Sequence, residues 1–546
     1  MRRSFFDCPP LIREEKSGSQ SAPESRLGSP VEIPKQAGPR NPFRADDCFL
    51  WLLSDRDTRL YILHLALLMP RAKYRKSAMT SSNEPPPQAH LIRTAIFVFL
   101  AFLALYSANG RSITEVDCLA APYAAWALVQ NGSFDVAEYP RMQELERTGA
   151  LHRLENGQLL SKYPPGSSLS ALPLIAPLAL WMNPPKPSRV ERIGKFVASV
   201  YVAAAVALLY LMVIQIAPTA AAPAVIVAGA GSSLWSTASQ GLWAHGPATF
   251  FLVLSFWLLF RNINRINLRF GFWAGLAMGM AIINRPTVIL FCFATLAALL
   301  FLRRIRIFSG VLIGLAGPGL LLATYNFYYF QNFVSGGYLE EASLWTTPAA
   351  IGLAGLLIAP SRGLLIYSPA FVIAPFSLLP NGHRSSPATE RRTLAIAWLI
   401  ASGATLLLYA KWHVWWGGWS FGPRFATEAV PALTLGLALG WERLAQNQNG
   451  KMILTLWSLI FISVAIHFIG VFGYHTAWMN ENSGGADMFS IRDTQIAARF
   501  TYLIANRPAS FFIPLAALCG WLVWYRRRGQ SGSGKASPKK PRPTIR

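Results

Sequence analysis

Apolar segments follow one another along most of this chain, and this pattern constrains the fold more than any other feature of the sequence. Several segments are about 16–22 residues long, the length that a helix needs to cross a bilayer, and clusters of arginine and lysine separate them. The pattern predicts an all-α fold, a polytopic transmembrane helical bundle of about 12–13 spans. The candidate spans are 94–108, 167–182, 196–216, 220–238, 243–260, 271–285, 287–302, 308–329, 363–380, 393–410, 425–441, 453–472 and 506–525.

The composition excludes several other classes of protein. Of the 546 residues, 53% are hydrophobic and only 14% are charged, and the mean hydropathy is +0.33. A water-soluble globular chain with this mixture would be difficult to solvate. The five cysteines include no CxxC pair, so neither a disulfide scaffold nor a zinc module is indicated. The sequence predicts no certain cofactor, and a divalent metal is not signalled by any motif.

The net charge of +24 invites comparison with nucleic-acid-binding proteins, but its distribution argues against that class. Residues 526–546 carry eight Lys/Arg and no acid, and residues 1–90 carry 14 Lys/Arg against 10 Asp/Glu, so half of the excess lies in two tails. Basic flanks are typical of the cytoplasmic side of membrane proteins. We therefore expect no nucleic-acid partner and interpret 526–546 as a basic cytoplasmic tail.

The first 90 residues differ from the rest. They are rich in Pro, Ser, Gly and mixed charge over 9–47, and four charged residues interrupt the partly apolar stretch at 48–70. We expect 1–90 to be a disordered N-terminal extension and the functional chain to begin at Met79, just before the first convincing apolar run. The transmembrane domain is then predicted to occupy 91–525.

The basic clusters predict the orientation in the membrane. By the positive-inside rule they should be cytoplasmic, which leaves the long polar loops, and with them the site, on the extracytoplasmic face. Thirteen crossings cannot satisfy every cluster; within 196–260, either one segment is re-entrant or one loop breaks the rule. The clusters are 186–195, 261–269, 303–306, 383–392 and 526–528, and the polar loops are 109–166, 331–362, 411–424 and 473–505.

Two acids in the first polar loop, Glu115 and Asp117, form the first candidate functional group. They precede the stretch 120–130, whose apolar spacing predicts an amphipathic helix at the membrane surface, followed by a turn at Asn131-Gly132. A carboxylate in this position suits a general base, because burial can adjust its pKa. A solvated loop acid without a catalytic role is the alternative.

The motif Ser161-Lys162-Tyr163-Pro164-Pro165-Gly166 comes directly before the second candidate span. Consecutive prolines cannot donate backbone hydrogen bonds and favour an extended approach to the helix, which leaves Lys162 at the surface as a compact charge that could bind phosphate. A proline-stiffened start of a helix with an interfacial lysine would give the same motif.

Residues 412–424 combine four tryptophans, three glycines and Arg424. Interfacial tryptophans are ordinary in membrane proteins, and an aromatic belt is one interpretation. The interleaved glycines permit close approach of a ligand to the backbone, indole faces stack on sugar rings, and the Arg424 guanidinium can bind two phosphate oxygens. This combination favours a functional loop.

Arg362 and Arg285 stand in apolar surroundings, Arg362 in Ser361-Arg362-Gly363 and Arg285 in Asn284-Arg285-Pro286. An arginine in such surroundings needs a partner. An anionic ligand, a protein carboxylate and backbone carbonyls would all satisfy this need.

Together, these residues resemble the GT-C superfamily of membrane glycosyltransferases. The first-loop acid, the Lys-Tyr-Pro-Pro-Gly motif, the Asn-Arg-Pro turn and the Trp-Trp-Gly-Gly-Trp-Ser-Phe-Gly-Pro-Arg loop carry the likeness, which covers roughly residues 90–525. The similarity is to bacterial members related to the protein O-mannosyltransferases and the lipid A aminoarabinose transferases.

The resemblance implies a multi-pass enzyme of the cell inner (plasma) membrane with an extracytoplasmic active site. Its donor would be a polyprenyl-phosphate-linked sugar, and its acceptor an envelope glycan, lipid or protein, with direct displacement inverting the anomeric centre. Asp117 would be the catalytic base, with Glu115 as neighbour or substitute, because Glu-Val-Asp departs from the usual adjacent Asp-Glu pair. The donor phosphate would bind Lys162, Arg362, Arg424 and Arg285, and the sugar or lipid would contact Tyr163, His413, Trp415, Trp416 and Trp419.

A polytopic transporter, or a lipid or polysaccharide flippase of the cell envelope, is the alternative function. Such a protein is expected to carry ionisable residues near the bilayer midplane, whereas most of them here lie at the ends of the candidate spans. A non-catalytic scaffold would need no acids and cations gathered on one face. Among enzymes, an O-antigen-ligase-like or phospholipid-transferring protein stays open.

Overall fold

The chain folds into a nearly all-α assembly of helices. The computed structural model describes residues 88–512, except 185, 266, 335, 380–386 and 446–448. The α-helices are α1 (Gln88–Ser107), α2 (Val116–Asn131), α3 (Pro140–Leu145), α4 (Gly166–Ala179), α5 (Pro187–Val213), α6 (Ala221–Ala230), α7 (His245–Asn262), α8 (Leu268–Asn284), α9 (Ile289–Phe301), α10 (Ile305–Phe330), α11 (Ala349–Ile358), α12 (Leu364–Tyr367), α13 (Pro387–Ala410), α14 (Val430–Ala445), α15 (Gly450–Phe472), α16 (Ala477–Glu481) and α17 (Gln495–Asn506).

Shorter turns of helix connect these elements. They are the 3₁₀ turns Glu146–Thr148, Pro218–Ala220, Pro286–Val288, Gly336–Leu344, Pro369–Leu378, Arg424–Ala429 and Asp487–Phe489, and the π turn Leu234–Ala238. A two-stranded antiparallel hairpin, β1 (Leu151–Arg153) with β2 (Leu159–Ser161), departs from the all-α prediction. The chain reverses between its strands at Gly157, which adopts a φ of +87°.

Five helices in the described part of the chain are long and apolar enough to cross a membrane, as expected of a membrane protein. They are Gln88–Ser107, Pro187–Val213, Ile305–Phe330, Thr389–Ala410 and Gly450–Phe472. Among the described residues, the other predicted spans coincide with helices of 18 residues or fewer or with interrupted apolar runs, so five of the expected 12–13 spans are found as long apolar helices. Met79, nearly all of the predicted extension 1–90, most of candidate span 506–525 and the tail 526–546 lie outside the described residues.

Two predicted spans are wrong as continuous helices. Within 220–238, α6 ends at Ala230, and the following Gly231 leads into the π turn. Within 363–380, the short α12 gives way to the 3₁₀ turn Pro369–Leu378. The reason is Pro369, which has no N–H for the helix and disfavours helical geometry in the residue before it.

Helices in the core pack through small residues and stacked rings. A Cβ added at Gly275 on α8 would lie only 2.1 Å from the carbonyl oxygen of Val311 on α10, so the backbones of these two helices are in contact. Trp398 on α13 stacks on Phe256 of α7, with centroids 3.6 Å apart, and its indole N–H donates to Thr295 at 2.9 Å. Such contacts hold the helix ends, and the loops on them, in fixed positions.

Three of the basic clusters meet at one end of the helices. Arg391, in the cluster 383–392, donates to the carbonyl of Phe260 beside the cluster 261–269, and Arg304 forms an ion pair of 2.5 Å with Glu390. This grouping agrees with one common side for these clusters.

The fourth cluster, 186–195, lies at the opposite end, and its predicted separation from the first polar loop is wrong. The Lys195 ammonium donates to Asn109 and, at 2.6 Å, to the carbonyl of Arg111 in that loop. The positive-inside rule therefore cannot place this cluster and the first polar loop on opposite sides, because α4 is only 14 residues long and α5 begins at the same end as α2.

The arrangement of the two ends can be tested by cysteine labelling. We replace Arg147, Arg192 and Arg306 singly by cysteine in a background with Cys8, Cys48 and Cys519 changed to serine; all three arginines are exposed. An impermeant thiol reagent should label positions 147 and 192 in cells whose outer barrier has been opened, and position 306 only after the plasma membrane is permeabilised. Labelling of 147 and 192 from opposite sides would contradict the structure.

Candidate functional site

The acid pair lies at the start of α2. Glu115 directly precedes the helix in extended conformation, and Asp117 is in its first turn, where the positive end of the helix dipole favours carboxylates. The helix predicted over 120–130 is confirmed, begins earlier, and ends at the predicted turn, with Gly132 at a φ of +66°. Its predicted amphipathic character is wrong, because residues 118–120 and 122–127 are buried and leave no polar face. The two acids have different partners: Asp117 contacts Tyr163 and Arg424, and Glu115 contacts Tyr474.

Asp117 is held by an arginine and a tyrosine. Its Oδ2 lies 2.6 Å from the Arg424 guanidinium, and its Oδ1 accepts a hydrogen bond of 2.8 Å from the Tyr163 hydroxyl. Burial by itself would raise the pKa of Asp117, but the charge of Arg424 and the two hydrogen bonds outweigh it and hold the pKa below its usual value. Asp117 is therefore ionised near neutral pH.

Glu115 is in a different state. Its Oε1 accepts a hydrogen bond of 2.8 Å from the hydroxyl of Tyr474, a residue that the sequence analysis did not identify. Burial raises the pKa of Glu115 to about 7, in spite of the opposing effect of that hydrogen bond. Glu115 can thus exchange a proton near neutral pH, as general bases do.

Lys162 reaches the same site from the segment before α4. Its ammonium lies 5.4 Å from the centroid of the adjacent Tyr163 ring and forms an ion pair of 2.8 Å with Glu341. Glu341 comes from the 3₁₀ turn Gly336–Leu344, and Tyr338 of that turn packs on Tyr163 at 5.9 Å between centroids. Lys162 is thus beside the acid pair but already has a protein carboxylate as a partner.

Arg424 and Arg285 approach each other across one aromatic ring. Their guanidinium carbons lie 5.3 and 5.6 Å from the centroid of Phe425, and the Arg424 guanidinium also lies 4.8 Å from the centroid of Trp243. Arg285 has Glu428 as its ionic partner, at 3.1 Å, so a protein carboxylate meets the need that the sequence indicated.

Glu428 is fully buried and binds a second group. Its Oε1 lies 2.6 Å from Nδ1 of His245, the first residue of α7. Neither residue was identified from the sequence, although both are ionisable groups beside apolar runs. The rule that singled out Arg285 would also have found them.

Arg362 does not face the acid pair. It is completely buried, and its guanidinium donates to the carbonyls of Ser420 at 2.7 Å and Gly418 at 2.9 Å and to the side chain of Gln495. Gln495 also accepts from the backbone N–H of Gly422, at 3.1 Å. Arg362 was predicted to bind the donor phosphate, but its guanidinium is taken up by these contacts. It has a positioning role instead, because it fixes the loop that carries Arg424.

Gly422 in this loop cannot readily be replaced. Its φ is +70°, and a Cβ would lie 2.6 Å from the Tyr367 ring. The glycine therefore allows the loop to pack closely against Tyr367. The sequence had suggested that it allows a ligand to approach the backbone.

The tryptophans of the loop differ in their surroundings. Trp415 is buried against Phe489 and Gly355, so its ring is not open to a sugar. Trp416 is half-buried beside Trp415, whereas Trp419 is 41% exposed. His413 is half-buried and its backbone N–H donates to Leu344, so it ties the loop to the turn that carries Glu341.

The structure thus brings Glu115, Asp117, Lys162, Tyr163 and Arg424 together, with Arg285 behind Phe425. A scan against protein-family models finds no match for the chain, and a search of curated proteins finds no similar sequence. Within the described residues, no three His, Cys, Asp or Glu side chains are grouped as metal ligands. The arrangement offers an ionised acid, an acid that can accept a proton, and cations for an anionic group.

Proposed function

We propose that this protein is a GT-C-type membrane glycosyltransferase that transfers a sugar from a polyprenyl-phosphate donor to an extracytoplasmic acceptor in the cell envelope. The observation that carries the proposal is the acid pair at the start of α2, in which Arg424 holds Asp117 ionised while Glu115 has a pKa of about 7. A site for glycosyl transfer from a lipid phosphate needs both a base and cations.

In the proposed reaction, Glu115 accepts the proton of the acceptor hydroxyl. The acceptor oxygen forms a bond to the anomeric carbon, and the bond from that carbon to the phosphate oxygen breaks. The phosphate leaves with the electron pair, and the anomeric centre is inverted. This assigns proton transfer to Glu115, where the resemblance favoured Asp117, because the depressed pKa of Asp117 makes it the weaker base.

Asp117 then has a positioning role toward the cation that meets the phosphate. It occupies one terminal nitrogen of Arg424, whose Nε is buried and has no hydrogen-bond partner among the described residues. A guanidinium can bind a carboxylate on one edge and a phosphate on another. Lys162, whose ammonium lies over the Tyr163 ring, supplies a second positive charge toward the leaving group.

The placement of buried ionisable groups favours an enzyme over the alternative transporter or flippase. Lys195 lies about two turns from the start of α5 and His467 lies five residues before the end of α15, so both are in the half of their helix that is closer to the site. Residues that carry ions or substrates through a membrane are expected near its midplane.

The proposal can be tested with the purified full chain in lipid nanodiscs. Radiolabelled polyprenyl-phosphate sugars are supplied singly with an envelope extract, and transfer of label is measured beside release of polyprenyl phosphate. We expect one donor to be consumed, and Arg424→Ala to raise its KM and lower turnover, because Arg424 would contact the phosphate before and during its departure.

The exposed Arg492 supplies the matched control, since Arg492→Ala should leave both parameters near their wild-type values. Deletion of the gene should also remove one envelope glycan. If no donor is consumed and the deletion leaves every envelope glycan intact, the glycosyltransferase proposal is wrong. Donor movement across vesicles without sugar transfer would support the flippase alternative.

A further inference from the structure

A second group of arginines lies on the Glu115 side of the acid pair. Arg499 of α17 places its guanidinium carbon 4.6 Å from the centroid of Tyr474, the tyrosine that donates to Glu115. Burial, followed by the charge of Arg507, lowers the pKa of Arg111 to about 10, and the charge of Arg499 acts on Arg111 in the same direction. We call Arg111, Arg499 and Arg507 the basic cluster.

Arg499 differs from the other buried cations of the site. Its side chain is fully buried, yet none of its three guanidinium nitrogens has a hydrogen-bond partner among the described residues. Lys162, Arg285 and Arg424 each have an ion-paired carboxylate, whereas Arg499 has none within 4.0 Å in the same part of the chain. An unpaired buried charge is costly, and proteins normally pair it.

The rest of the basic cluster reinforces this imbalance. Arg111 is half-buried, and its terminal nitrogen makes only long hydrogen bonds, of 3.3 and 3.4 Å, to the carbonyls at the end of α15, while its buried Nε has no partner in the described chain. Arg507 is also half-buried. Like charges gathered in this way repel one another unless an anion joins them.

We infer that the basic cluster is a phosphate-binding site, separate from the cations that hold Asp117, and that it takes a phosphate group carried by the acceptor. The position supports this, since the cluster borders Glu115 through Tyr474, whereas Arg424 and Lys162 border Asp117. The phosphate-binding site stands on the arginines alone; its assignment to the acceptor rests on the proposed function.

The site is tested by thermal unfolding of the purified full chain, followed by tryptophan fluorescence at constant ionic strength. Inorganic phosphate should raise the midpoint of the wild-type protein relative to chloride, since a ligand that binds only the folded state stabilises it. In Arg499→Met, the concentration for half-maximal effect should rise at least about tenfold. The midpoint of this variant in chloride should equal or exceed that of the wild type, because an unpaired buried charge has been removed.

Further variants keep the test decisive. Arg111→Gln should weaken the phosphate response, Arg499→Lys should retain part of it, and Arg492→Gln should retain all of it. The same measurement with short-chain phosphatidic acid in place of inorganic phosphate shows whether the site binds a phosphate that is part of a lipid. A rise of the midpoint with either ligand supports the site. If Arg499→Met lowers the midpoint in chloride and leaves the phosphate response unchanged, Arg499 is structural and the inference is overturned; the same holds if only Arg424→Gln removes the response.

These results are independent of sugar transfer. A phosphate response that depends on Arg499 in a chain without transferase activity would keep the binding site and reject the proposed function. A transferase whose phosphate response ignores the basic cluster would keep the function and reject the site. If the response and the transferase are both present, Arg499→Met should raise the KM for the acceptor and leave the KM for the donor unchanged.

Discussion

Glu115→Gln is expected to lower turnover by a factor on the order of 10²–10⁴, the usual contribution of a general base. Glutamine keeps the shape of the side chain and can still accept a hydrogen bond from Tyr474, so donor affinity should survive. The rate is measured with saturating donor and compared with its KM. Glu144→Gln, an exposed acid in the same loop, is the matched control and should be near wild type.

The pH profile gives a second readout. Because a base acts when deprotonated, and the pKa of Glu115 is about 7, wild-type turnover should rise with pH through about 7 and level off above it. Its neighbours in this titration are Tyr474, Asp117, Arg424 and Arg499. The rise should disappear in Glu115→Gln.

Asp117→Asn should behave differently, because it removes the partner that holds Arg424. We expect a higher donor KM together with lower turnover, and a pH profile that still rises near 7. If Asp117→Asn is inactive with normal donor affinity while Glu115→Gln remains active, the base is Asp117, as the resemblance implies. Full activity of both variants with a verified donor would reject the mechanism.

Arg362→Ala is expected to destabilise the folded protein by at least about 3 kcal/mol. The change removes the charged donor of three hydrogen bonds, to Ser420, Gly418 and Gln495, and a hydrogen bond to a charged group contributes about 1.5–3 kcal/mol. The free energy of unfolding is measured by denaturant titration in mixed micelles. Turnover should fall as well, since the loop would no longer place Arg424.

Arg492→Ala is the control for this measurement too, because Arg492 is exposed and surface substitutions usually change stability by less than about 0.5 kcal/mol. Gln495→Ala should weaken the same loop, and its effect should not add fully to that of Arg362→Ala. Equal stability of Arg362→Ala and the wild type would show that the buried network does not hold the loop.

Much of the helical pattern could be predicted because hydrophobic segments are local features. The predicted helices near 94–108, 308–329 and 453–472 coincide with long helices of the structure. The residues at which two predicted helices break, Gly231 and Pro369, are visible in the sequence. Hydropathy alone, however, does not distinguish a continuous helix from an interrupted apolar run. The cluster 186–195 was placed at the wrong end because charge counts do not report the packing contact between Lys195 and the first polar loop.

The candidate site could be predicted only in part because its contacts join distant segments. Unusual local motifs identified Asp117, Tyr163 and Arg424, which the structure joins directly. The roles of Tyr474 and Arg499 depend on the loop after α15 folding back to the first loop, and no local pattern marks that contact. Arg362 was found for the right reason, its need for a partner, but carbonyls meet that need instead of a ligand.

The network around Arg362 has a consequence for biosynthesis. All five long apolar helices precede residue 495, whereas Gln495, which joins Arg362 to the backbone N–H of Gly422, leaves the ribosome after them. A nascent chain can therefore insert these five helices before the loop that carries Arg424 has its final support. Newly inserted molecules should remain inactive until α17 docks, so that arrest of translation before residue 495 yields inserted protein without a working site.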